Sequence, residues 1–122
     1  MQVVIIQGDA LFRSGHSDVN DAYISLIDRI ASVMNRLPGD IVVRGYTDSI
    51  PINTPQFPSN KALSQARADN LANMIRDRID DPQRISASGM GDSNPRIPDN
   101  PRDPRNRGVE IALKDSDRSG NL

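Results

Sequence analysis

Ile41-Val42-Val43-Arg44-Gly45-Tyr46-Thr47-Asp48 is the stretch that decides the fold. It opens as a short β-branched run, which suits a buried strand, and it ends near Gly45-Tyr46-Thr47-Asp48. The segment from Ser49 to Ser59 carries Pro51, Pro55 and Pro58, so a loop follows the strand. Before the strand, Tyr23, Leu26, Ile27, Ile30, Met34 and Leu37 fall on one helical stripe. That spacing predicts a helix from about Asp18 to Leu37, stopped by Pro38-Gly39. After the loop, Ser59 or Asn60 can cap a second helix, with Leu63, Leu71, Met74, Ile75 and Ile79 facing inward. Asp80-Asp81-Pro82 ends it.

Three more strands complete the pattern. Val3 to Ile6 is a first strand closed by Gln7-Gly8-Asp9, with Leu11 to Gly15 as a loop. Arg84 to Ala87 is a third strand leading into Gly89-Met90-Gly91, and Val109 to Leu113 is the last. The order β-α-β-α-β-β predicts an α/β protein of the α+β sandwich kind, one sheet with two main helices on one face. Residues 1–113 read as one domain. Residues 114–122 read as a disordered polar tail without hydrophobic periodicity. Before the last strand, Pro95, Pro98, Pro101 and Pro104 recur every third residue, the period of a polyproline II strap. Such a strap is either a stiff spacer or an edge for a proline-reading partner.

Composition narrows the function. Hydrophobic residues make up 36% and aromatics 3%, so the core comes from aliphatic side chains and Ala. There is no Cys, which excludes disulfides and thiolate metal sites. A formal net charge of -1 argues against nucleic acid, whose phosphates require uncompensated basic surface. No apolar run approaches the roughly 20 residues that span a bilayer. If the protein acts outside the cytoplasm, an upstream transmembrane segment is missing from this chain, which then reads as a piece of a longer anchored protein.

One pair of charges stands out. Arg67 lies four residues after Leu63 and four before Leu71, on the inward stripe of the second helix, where a charge needs a partner. Asp48 stands at the carboxyl end of the second strand, where the chain turns into the loop before that helix. A strand-end carboxylate, a guanidinium near a helix start and the helix's own free N–H groups would together suit a zwitterionic, amino-acid-like ligand. The same spacing also fits a buried Asp48–Arg67 ion pair that only fixes the helix to the sheet. Other candidates are weaker. His16 is a lone loop histidine with no second ligand for a metal. No G-x-S-x-G elbow places a nucleophile, and no acid sits in an apolar setting that would raise its pKa. Gly89-Met90-Gly91 lacks the rest of a phosphate loop. No enzyme activity, metal or cofactor is predicted.

Gly45-Tyr46-Thr47-Asp48, Leu63-Ser64-Gln65-Ala66-Arg67-Ala68 and Asn106-Arg107-Gly108-Val109-Glu110-Ile111 resemble, in order, the three motifs of the OmpA-like (OmpA/MotB) C-terminal domain. Those motifs read G-H/Y-T-D, L-S-x-x-R-A and N-R-R-V-E-I, and the match extends from about residue 3 to residue 113. The resemblance implies a four-stranded mixed sheet and non-catalytic binding of peptidoglycan through the diaminopimelate of its stem peptide. Carried over, Asp48 would take the ammonium and Arg67 the carboxylate, with Thr47, Asn60, Leu63 and Arg107 lining the same cleft. Residues 8–15 and 51–60 look like the periplasmic domain of type VI secretion TssL proteins, then that of flagellar stator MotB proteins. That implies a wall anchor in the periplasm of a Gram-negative bacterium, part of an inner-membrane-anchored protein. Its partners would be secretion-system or motor proteins and a second copy of the chain. Two departures stand against the pattern: Lys61 where those subfamilies carry Trp, and Gly108 for the second Arg of N-R-R-V-E-I. They motivate a rival reading, a protein–protein module that has lost wall binding.

Overall fold

The computed structural model describes residues 2–7, 11–12, 16–52, 54–93 and 95–114. Four strands, β1 (Gln2–Gln7), β2 (Asp40–Tyr46), β3 (Ile85–Gly89) and β4 (Gly108–Lys114), form one sheet in the order β1-β4-β2-β3. β2 runs parallel to β3 and antiparallel to β4, which is antiparallel to β1, so the sheet is mixed. Two helices, α1 (Ile24–Arg36) and α2 (Asn60–Arg76), give the predicted element order. Lys114 pairs with Asp40 as the last residue of β4, one residue beyond the predicted boundary; the rest of the predicted tail, residues 115–122, lies outside the described residues.

Alternation along the strands sets the layers. Ile41, Val43, Val109, Ile111, Leu113 and Ile85 are buried and join Ile27, Ile30, Ala31 and Met34 of α1 and Ala68, Leu71, Ala72 and Ile75 of α2 in one cluster. Each large aliphatic side chain so buried contributes about 1.5–3 kcal/mol. Val3, Ile5, Val42, Arg44, Tyr46, Glu110 and Ala112 lie on the opposite, open face by the same register. There Arg44 and Glu110, directly opposed on β2 and β4, pair at 2.7 Å.

Helix bounds differ from the sequence reading for local reasons. α1 starts at Ile24 rather than Asp18, because Phe12 and Val19 form an isolated antiparallel bridge that holds the chain extended. Asn20 then caps a 3-10 turn over Asp21–Tyr23 by accepting the Ala22 N–H. At the other end Arg84 donates to the carbonyls of Met34 and Leu37 at the close of α1 and to that of Gly39 in the turn beyond it, tying the helix end to the start of β3. α2 closes at Arg76, although Ile79 beyond it remains buried.

α2 lies unusually close to the sheet. A Cβ at Gly45 would come within 2.5 Å of the Ser64 carbonyl oxygen, and one at Gly89 within 2.3 Å of the Gln65 backbone nitrogen. Only glycine permits that approach. Two side chains seal the contact: Ser64 Oγ accepts the Gly91 N–H at 2.9 Å, and Gln65 Oε1 accepts the Gly89 N–H at 2.8 Å. The first turns of α2 are thereby held against the carboxyl ends of β2 and β3.

The segment before β4 is not the extended polyproline strap the three-residue period suggested. Asn100 N–H bonds to the Ile97 carbonyl, Asp103 N–H to that of Asn100, and Asn106 N–H to that of Asp103. Pro98, Pro101 and Pro104 therefore occupy the second position of three successive turns that share corner residues. Proline favours that position because its ring presets φ. Three residues is the repeat of linked turns as well as of polyproline II, and the hydrogen bonds decide between them.

Candidate functional site

Asp48 leaves the end of β2 and is buried, at 5% exposure. Its Oδ1 accepts the Ile50 N–H at 3.0 Å, an Asx turn that bends the chain away from the sheet. Its Oδ2 accepts from Arg107 Nε at 2.6 Å, a charge-assisted bond in which the carboxylate is the more buried partner. A carboxylate offers about four acceptor positions, and these two bonds leave the others unused among the described residues. The Asp48 backbone is held as firmly. Its carbonyl accepts from the Thr47 hydroxyl at 2.9 Å and from Asn60 Nδ2 at 3.3 Å.

Asn60 links the strand end to the helix. Ser59 is the N-cap of α2, its Oγ accepting the Ala62 N–H at 3.1 Å, so Asn60 is the first helical residue. Its amide reaches back to the carbonyls of Asp48 and Ile50. The positive end of α2 thus sits beside the Asp48 loop. Thr47 is buried and donates its N–H to the Gly91 carbonyl at 2.7 Å. Leu63 is buried but stands outside the main apolar cluster, on the first turn of the helix.

Arg67 is also buried, at 5% exposure, and points to a different neighbour from the one its spacing suggested. Nε donates to the His16 carbonyl at 2.8 Å, and the guanidinium carbon lies 4.9 Å over the Phe12 ring. Among the described residues no ion pair joins Arg67 to Asp48; the salt-bridge partner of Asp48 is Arg107. The buried Asp48–Arg67 pair considered from the sequence is therefore corrected. Asn70, three residues on, donates to the Ser17 carbonyl at 2.8 Å, so α2 grips residues 16–17 at two points. His16, a lone loop histidine in the sequence, matters here through its backbone oxygen; a backbone acceptor leaves no trace in residue identity. Of the glycine-flanked segment 8–15, only Leu11 and Phe12 are described, and both are buried.

Asn106 is the residue that sequence reasoning passed over. Almost wholly buried, it accepts the Ile97 N–H at 2.7 Å and donates to the carbonyls of Ile97, Asn100 and Pro101. The Pro101 carbonyl also accepts the Ser49 N–H at 2.9 Å. One amide thus pins the turn segment, and through Pro101 that segment is tied to the residue after Asp48. The Asn-Arg pair at 106–107 was the available signal: the first residue fixes the loop and the second engages Asp48.

Among the described residues no group of three or more His, Cys, Asp or Glu could hold a metal ion. No helix there is long and apolar enough to cross a membrane. On the open face, Tyr46 has its phenol pKa raised, first by burial and then by the Glu110 carboxylate, with Arg44 opposing.

A model of the OmpA family matches residues 11–108. "Uncharacterized protein YtxE" of Bacillus subtilis is 36% identical over 118 residues, covering 93% of this chain and 48% of that protein. "Motility protein B" of Helicobacter pylori (strain J99) is 33% identical over 114 residues, covering 89% of this chain and 44% of that protein. The chain thus spans about half the length of these curated relatives. Among solved structures, the cell wall anchor of the T6SS from Pseudomonas aeruginosa superposes with a TM-score of 0.83 at 37% identity, covering 91% of this chain and 79% of that one. A periplasmic domain of Helicobacter pylori MotB gives a TM-score of 0.79 at 28% identity, covering 98% and 87%.

Proposed function

This chain belongs to the OmpA family, and from that membership we propose that it is a non-catalytic domain that binds peptidoglycan through the diaminopimelate of the stem peptide. In that role it anchors a membrane-embedded machine to the wall from the periplasmic side. The observation that carries the reading is the buried Asp48 carboxylate, held rigidly beside the start of α2 with acceptor positions to spare. Buried carboxylates are costly unless paired, and an ammonium with three donors is a fitting further partner. Arg67, equally buried on the same helix, supplies a planar cation for the ligand's carboxylate. A zwitterion satisfies both charges at once, and a ligand lacking either end leaves a desolvated group behind.

Co-sedimentation with purified sacculi tests this. Asp48→Ala or Arg67→Ala is expected to weaken retention by about 2–5 kcal/mol. Full retention of both variants would remove the proposed site. Of the two machines we favour the secretion type, with the cell wall anchor of the T6SS at 37% identity against 28% for the MotB structure and 33% for Motility protein B. The sequence upstream separates them: a long cytoplasmic helical domain before one membrane span fits TssL, and a very short leader fits MotB.

The occupation of Asp48 by Arg107 favours a second reading, a protein–protein module in which an internal cation has replaced the ligand's ammonium. Titration with soluble stem peptide discriminates. Perturbation around Asp48 and Arg67 supports wall binding, and silence supports the module.

A further inference from the structure

A recess of about 240 Å³ lies on the open face of the sheet, at the end where the turn segment meets β4. It is smaller than the roughly 300–1,000 Å³ of pockets that hold whole small molecules, so it suits the end of a ligand. Its apolar side is Ile5, 43% exposed although β-branched and mid-strand. Tyr46 offers its phenol edge. Gly108, where the family motif carries arginine, brings no side chain to the recess.

The charges are unequal. Glu110 lines the recess but is neutralised by Arg44 at 2.7 Å, and Arg107 lines it while bonded to Asp48. Arg96 also lines it, and its guanidinium makes no hydrogen bond or ion pair among the described residues. That cation is not loosely presented, because the next residue, Ile97, has both its N–H and its carbonyl bound by the buried Asn106 amide. One uncompensated guanidinium, a phenol donor and a small apolar wall complement a carboxylate borne on a short apolar end.

We propose that this recess is a second ligand site, which takes the terminal carboxylate of a short peptide with small apolar side chains. Arg107 belongs to both sites: Nε holds Asp48, and the side chain lines the recess. A peptide that places its zwitterionic residue at Asp48 can therefore continue toward its own carboxyl end on the open face. This extension rests on the wall-binding reading, while the recess itself does not require it.

Amide chemical shifts of the 122-residue chain during titration with N-acetylalanine test the recess. Shifts are expected at Tyr46, Gly108 and Glu110, with N-acetylalaninamide and inorganic phosphate each at least about tenfold weaker. Arg96→Gln is expected to remove the difference between acid and amide while leaving the spectrum of the fold intact. Equal response to acid and amide, or an acid preference unchanged in Arg96→Gln, would overturn the proposal. Sacculus retention of Asp48→Ala separates the two readings. If retention is lost while N-acetylalanine gives no shifts, the recess fails and wall binding stands. If retention persists while the recess responds as expected, wall binding at Asp48 fails and the recess stands.

Discussion

Replacing Arg107 by Gln tests whether the Asp48 carboxylate is held by the bond assigned to it. The Arg107 Nε–Asp48 Oδ2 distance is 2.6 Å, the Asp48 side chain is 7% exposed, and the Arg107 side chain is 32% exposed. Breaking a fully buried pair from one side costs about 3–5 kcal/mol, because the remaining charge is left desolvated. Arg107 is about one-third in water, and Asp48 keeps its bond from the Ile50 N–H, so the expected cost is lower, about 1.5–2.5 kcal/mol. Asp48→Asn leaves Arg107 with access to solvent and should cost less, about 1–2 kcal/mol. The double variant should be more stable than the sum of the single losses predicts, with a coupling of about 1–2 kcal/mol. Urea unfolding measures all three; with a slope of about 1–3 kcal/mol/M, Arg107→Gln shifts the midpoint by about 1 M. Strict additivity would show that the two groups do not hold each other, and the site geometry would have to be abandoned.

Asn106→Ala removes one acceptor and three donor contacts in a part-buried setting, with Asn100 and Pro101 themselves exposed residues, so thermal unfolding should report a loss of about 2–4 kcal/mol. Proteolytic cutting between residues 95 and 105 should rise in the same variant, and unchanged cutting would refute the pinning role. Gly45→Ala forces a methyl against the Ser64 carbonyl at 2.5 Å and should cost at least about 1–3 kcal/mol in denaturant unfolding. The raised Tyr46 pKa means the folded state favours the neutral phenol. Its contribution is complete below the unfolded value near 10.0 and is lost as pH climbs through the higher folded value, so Tyr46→Phe should flatten the alkaline fall in stability.

Periodicity made the layers legible. The α1 stripe placed Ile27, Ile30 and Met34 in the core, whereas the unbroken apolar run Ile41-Val42-Val43 marked a strand without telling its inner residues from its outer one. The charged positions were legible as well, since an arginine between Leu63 and Leu71 must be buried. Their partners were not. Arg67 meets a backbone carbonyl and a ring from residues more than 50 positions away, contacts that no spacing rule encodes. Period alone could not tell linked turns from polyproline II, because both repeat at three; the difference lies in which amide meets which carbonyl.

The three motifs divide by what their residues do. Gly45, Ser64, Gln65 and Asn106 set the approach of α2 to the sheet and fix the turn segment, so their chemistry is exhausted within the chain. Asp48 and Arg67 are different. A buried charge seldom stabilises more than a well-packed apolar residue of the same volume, and replacement often adds stability. The approach of α2 to the sheet rests on the glycine contacts, the serine and glutamine bonds and the aliphatic core. Asp48 is bonded to Arg107 and to the Ile50 N–H, and Arg67 to the His16 carbonyl; under the proposed wall-binding reading a zwitterionic ligand is the further partner of both. Wall retention and stability should therefore not fall in proportion across the Asp48 and Arg67 variants: sacculus retention is expected to drop further than urea unfolding accounts for, and a strict proportion between the two would refute a ligand-binding role for these charges.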